Sequence, residues 1–176
     1  VTANAVTEEA GVEATNTVSA TGTNADGSSG SSSASDTVTL LPRRVRTSVS
    51  KTFSRSSLWG APGSAMSVSL TGAVSSSSTI GSDYLTITDD TVDFWDSFNL
   101  VGITNTDIPA GSTLTVQYLD AGTSTWLDLA TQAGVASNWS YTPTNPDDIN
   151  GLRFTFTSTT SGAVLPAGFN VAPRFL

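Results

Sequence analysis

From Val45 onward the chain is built of short runs in which apolar and polar residues alternate, and this period of two constrains the fold more than any other feature. Met66, Val68 and Leu70 fall in phase in "AMSVSLTGAV", as do Leu114, Val116 and Tyr118 in "STLTVQYL" and Leu152, Phe154 and Phe156 in "GLRFTFTS". A strand turns successive side chains to opposite faces, so each run offers one apolar row to a core. "VRTSVSKTF", "DYLTIT", "STWLDLA", "NWSYTP" and "GFNVAPRFL" read as further strands, punctuated by Gly, Pro and Asn. "YLDAGTSTWL" reads as a β-hairpin turning at Asp-Ala-Gly. Seven or more short antiparallel strands predict an all-β, Ig-like antiparallel β-sandwich, with a barrel as the alternative. The nine in-phase residues are expected to share its core. Serine and threonine supply 55 of the 176 residues. Threonine suits pleated, half-exposed strands, and the good helix formers are scarce.

Several function classes are disfavoured by composition. The chain has no cysteine and no histidine. Zinc and copper sites of the usual kind are therefore not expected, nor are Ser-His or Cys-His nucleophile pairs. The net charge of -8, with six scattered arginines and no basic stripe, argues against nucleic acid and anionic membranes as partners. No apolar run approaches the ~20 residues of a membrane span. Glu8, Glu9 and Glu13, the only glutamates, lie near the N-terminus and far from any cleft signature, so a two-carboxylate glycosidase is not expected. The reading is of a protein that is not an enzyme, located outside the cell or at its surface. The polar opening "VTANAVTEEA" reads as a mature or excised segment.

Residues 1–41 differ from the rest. "VEATNTVSATG" alternates, "NADGSSGSSSAS" is dense in turn formers, and "DTVTLL" reads as a second strand. A two-stranded N-terminal segment with a long loop is expected. Residues 42–44, Pro-Arg-Arg, mark a boundary, because proline cannot donate inside a central strand. The sandwich domain then covers 45–176. Within it "DDTVDFWDSFNL" predicts a short helix or wide loop near 90–98. Asp90 would cap it, Val92, Trp95 and Phe98 fall at i, i+3 and i+6, and the segment's aromatics would plug the core.

The only lysine, Lys51, shares strand phase with Val45, Thr47, Val49 and Phe53, so it is expected on the apolar face. Burying an ammonium without a partner costs several kcal/mol. Asp89, in phase with Leu85 and Ile87, is the favoured partner. The alternatives are an inward lysine guarding an edge strand, or a stem that snorkels to the rim.

"NTVSATGTNADG" with "SDTVTL" resembles the closing strands of Ig-like repeat modules in Gram-positive bacterial cell-surface proteins, the adhesins and stalks. "VSKTFS" followed by "GSAMSVSLTG" resembles the opening strands of such a module. The resemblance covers about the first 90 residues. It implies a stalk or adhesin segment without catalytic function, in which 1–41 closes one module and 45–176 begins the next without its final strands. Such modules also carry lysine–asparagine isopeptide bonds, which makes Lys51, Asn16 and Asp89 candidates for one, Asp89 being the assisting acid.

Two further constellations are candidates. Asp89, Asp90, Asp93 and Asp96 could supply oxygens to Ca²⁺, although their spacing does not match an EF-hand loop. The four tryptophans, Trp59, Trp95, Trp126 and Trp139, could form a sugar-stacking platform, with Trp126 and Trp139 favoured because each stands out of phase with an apolar neighbour. The expected function is therefore an extracellular structural module of a stalk or filament, possible partners being copies of itself, adjacent modules, or a glycan or host-surface ligand. Head-to-tail strand exchange would join its subunits, and a carbohydrate-binding module is the alternative.

Overall fold

The computed structural model describes residues 11–61 and 63–176. The chain forms two compact units, one running up to Arg44 and the other spanning Val45–Leu176.

The first unit is a long hairpin of β1 (Glu13–Thr23) and β2 (Ser29–Thr39), paired antiparallel from Glu13↔Thr39 to Thr23↔Ser29. The expected long loop is instead a tight turn, because the "SGSSSAS" stretch lies within β2. Asn24 N–H bonds the Ser28 carbonyl at 2.7 Å, and Asp26 Oδ1 accepts from the Ser28 backbone and hydroxyl. Gly27 takes the positive φ of 86° that the turn requires. Once the turn closes, serines opposite threonines simply continue the ladder. Every residue of both strands is exposed, so the hairpin has no core of its own.

The second unit is an antiparallel β-sandwich, the fold class its alternation predicts. One sheet runs β5 (Tyr84–Asp89), β10 (Ile149–Ser158), β7 (Ser112–Asp120) and β8 (Trp126–Ala133). The other begins with β3 (Thr47–Phe53) and β4 (Val68–Val74). It continues through β11 (Asn170–Val171) with β12 (Arg174–Phe175), then β6 (Ile103–Ile108) and β9 (Ala136–Tyr141). β11 and β12 pair with β4 in one unbroken register, interrupted at Pro173. Proline has no N–H to donate, but its carbonyl still accepts from Leu70 at 2.9 Å. The chain's last strand is thus seated between β4 and β6, where the resemblance had implied that closing strands would be missing.

The core lies between the sheets. Of the nine predicted residues, Val68, Leu70, Leu114, Val116, Leu152, Phe154 and Phe156 are buried, while Met66 and Tyr118 are half-buried. Each buried Leu, Val or Phe contributes about 1.5–3 kcal/mol relative to exposure. α1 (Val92–Trp95) crosses one end of the sandwich. Its N-cap is Thr91 rather than Asp90, and no side chain caps it. Val92 points out, and Phe94 packs against the core beside Trp95 and Phe98. The helix is a single turn, too short for a spacing of six residues to remain on one face. No helix among the described residues is long and apolar enough to cross a membrane.

Gly72 sets how closely the sheets approach. A Cβ there would sit 2.5 Å from Ile87 Cδ1 of the opposite sheet. Gly72→Val is expected to cost about 1–3 kcal/mol through overpacking. Gly22→Val, at a hairpin position with nothing within 4 Å, should leave the melting of the sandwich unchanged. Thermal denaturation of the two variants checks both outcomes.

Candidate functional site

The site lies at one flank of the sandwich, where β3 and β5 are the edge strands of their sheets. Directly opposed residues of an antiparallel pair share a face. Val49↔Gly72, Lys51↔Leu70 and Phe53↔Val68 therefore turn the row of Val49, Lys51 and Phe53 inward with the core row of β4. That row is nevertheless exposed, Val49 at 74% and Phe53 at 47%. At Val49 a groove of about 480 Å³ opens between the two edges. Its walls are Thr47–Val49 and Tyr84–Thr88, with Gly72 between them.

Lys51 spans the end of this groove. Its Nζ lies 2.7 Å from Asp89 Oδ2 and donates a hydrogen bond to Oδ1 at 3.0 Å. The Oδ2 contact is ionic and lacks hydrogen-bond geometry, so Oδ1 is the directed acceptor. Asp89 is 5% exposed, whereas the lysine side chain keeps 29% of its surface in water. The ammonium also faces the rings of Phe94 at 4.6 Å and Phe53 at 5.2 Å. Such cation–π contacts contribute about 0.5–2 kcal/mol, more as water is excluded. Trp95 donates its indole N–H to the Asp89 carbonyl at 3.0 Å, which fixes the acid from behind. Phe53 and Phe94 stack at 5.9 Å, and Trp95 stacks on Phe175 at 5.6 Å. One ion pair and one aromatic cluster thus tie edge β3 of one sheet to edge β5 of the other.

The other candidates fall elsewhere. Asn16 sits on β1 opposite Asp36, in the hairpin unit. Asp90, Asp93 and Asp96 are exposed, and among the described residues no three acids are grouped closely enough to hold a metal ion. Asp89 is already engaged by Lys51, so the Ca²⁺ candidate is not assembled. Trp126 is half-buried with the Arg153 guanidinium 3.9 Å from its ring centroid, which covers one face. Trp139 stacks on Tyr141 at 6.3 Å, and both pack against the core. Glu13 is exposed on the hairpin, and Glu8 and Glu9 lie outside the described residues.

Two side chains matter more than the sequence alone suggested. Phe53, in phase with Lys51 as alternation placed it, turns its ring to the ammonium. Trp59, one of the four tryptophans offered for a sugar platform, is the other. It is 88% exposed in the segment between β3 and β4, beside a concavity shared with Leu58 and Phe98. Near Phe94, Trp95 and Phe175 lies a cavity of only about 40 Å³. That is room for about one water, against the ~300 Å³ or more of a small-molecule pocket.

No family model and no curated protein matches the chain. One similar solved structure concerns the promiscuous specificity of carbohydrate-binding modules from the beta-sandwich superfamily. It is 11% identical, covers 92% of this chain and 72% of that one, and superposes with a TM-score of 0.28.

The ion pair predicts an asymmetry. Lys51→Met leaves a carboxylate buried without its cation, which is expected to cost about 3 kcal/mol. Asp89→Asn leaves an ammonium that can turn to water and keeps an oxygen acceptor, so it should cost about 1 kcal/mol. Chemical denaturation measures both. The contacts of Lys51 Nζ are with Asp89 and two phenylalanine rings and include no side-chain amide, so intact-mass spectrometry should return the mass of the unlinked chain, not one lighter by an ammonia.

Proposed function

We propose that this chain is a non-catalytic structural module of an extracellular bacterial stalk or filament, whose partners are copies of itself or adjacent modules. The observation that carries the reading is the flank itself. Two strand edges are left open there, and an ion pair with an aromatic cluster braces them. Open edges accept another strand through main-chain hydrogen bonds, so they suit joining modules end to end. The alternation of the hairpin and the opening strands of the sandwich, which resemble Gram-positive surface repeats, support the same reading. So does the wide use of serine and threonine with few charges. Membership of that family of repeats is part of the proposal.

One observation favours a second reading, a carbohydrate-binding module. Trp59 presents its ring to solvent next to Leu58 and Phe98, and flat aromatic faces stack on sugar rings. If so, the platform lies at Trp59 rather than at Trp126 and Trp139, whose rings are partly covered. Titration with soluble β-glucan, xylan and mannan, followed by tryptophan fluorescence, separates the two readings. The structural module is expected to give no saturable change. A saturable change that disappears in Trp59→Ala would replace it with the glycan-binding reading.

A further inference from the structure

The two units are each incomplete in a complementary way. In the register of the hairpin, Ala14 faces Val38 and Val18 faces Ala34, with Asn16 facing Asp36 between them, so these six share one face. The opposite face is threonine and serine throughout, apart from Glu13. Val18 and Val38 are 64% and 62% exposed. Two strands alone are marginal in water, so this hairpin, with its valines on one face, needs a surface to lie against. The sandwich offers the converse, an inward-facing row at Val49 whose strand pairs, among the described residues, with β4 alone, and a groove to receive another.

Charge selects the match. Residues 45–55 carry Arg46, Lys51 and Arg55 with no acid. Residues 11–41 carry Glu13, Asp26 and Asp36 with no basic residue. Lys51 is already paired, which leaves Arg46 and Arg55 bracketing β3 to meet the acids of the hairpin. The edge strand that needs a neighbour is basic, and the hairpin that needs a cover is acidic.

We propose that the β1–β2 hairpin of one copy adds to the free edge of β3 in a second copy, with the face of Ala14, Val18, Ala34 and Val38, which also carries Asn16 and Asp36, closing the groove and its hydroxyl face outward. This deepens the structural-module reading and rests on it. The contact joins two different surfaces, so successive copies extend into an open chain unless the rotation happens to close a ring. Each copy then has one donor hairpin and one acceptor flank.

The test uses the full chain and two substitutions at exposed positions, Val18→Asp in the donor and Val49→Asp in the acceptor. Circular dichroism melting confirms that each variant keeps its sandwich. Static light scattering against concentration should show the unsubstituted chain growing into multimers. Each variant alone should associate at least tenfold more weakly. An equimolar mixture should form dimers and stop, since it retains one intact donor and one intact acceptor per pair. The proposal is overturned if the unsubstituted chain is monomeric at every concentration, as when the hairpin folds onto its own chain. It is overturned too if Val49→Asp has no effect while Val18→Asp abolishes assembly, the pattern of hairpin docking on hairpin. These outcomes differ from failure of the structural reading itself, which is marked by saturable binding of polysaccharide.

Discussion

The Lys51–Asp89 pair is the contact on which the flank of this sandwich depends. Through the middle of the sandwich the sheets are held by rows of buried apolar side chains. At the β3–β5 edge the row of β3 faces open space, and hydrophobic burial cannot hold that strand down. An ion pair at 2.7 Å takes over the task. Buried ion pairs often cost as much in desolvation as they return, unless good geometry and further hydrogen bonds offset it. Here the offsets are visible. Trp95 fixes the aspartate backbone, two phenylalanine rings face the ammonium, and the lysine retains contact with solvent. A lysine suits this position because its apolar stem can lie along β3 while its charge reaches across to the other sheet.

The hairpin follows the opposite logic. Its twenty-two strand residues bury nothing, and its order comes from the turn at Asn24–Ser28 and the backbone ladder. Cross-strand hydroxyl contacts such as Thr15–Thr37 at 2.9 Å add little in water. A segment of this kind costs backbone entropy that burial does not return. Its place in the protein is explained by a partner surface, and the acidic hairpin and basic edge strand supply a pair that fits.

Much of the fold was legible because the sandwich core obeys strict alternation. Leu114, Val116, Leu152, Phe154 and Phe156 could be placed from phase alone. The partnership of Lys51 and Asp89 was also legible, since both stood in phase with apolar neighbours and neither could be buried alone. The Ser/Gly run before Asp36 misled, because turn-forming residues also pair as strand once a tighter turn precedes them. The short helix at Val92–Trp95 and its inward aromatics were legible too, but its cap was not, since Thr91 rather than Asp90 takes that place and no side chain bonds there. That β3 lacks a covering neighbour could not be read at all, since alternation reports which face is apolar and not whether anything lies over it. Trp59 likewise gave no periodic signal, standing in a connecting segment.

The central claim is that a specific charge–charge contact holds the edge of one sheet to the other. A double-mutant cycle of Lys51→Met, Asp89→Leu and the combined variant, followed by denaturant unfolding, measures that coupling free of each residue's separate effects. The account predicts a coupling of about 2 kcal/mol or more, with the double variant more stable than Lys51→Met alone. Additive losses, with a coupling indistinguishable from zero, would contradict it.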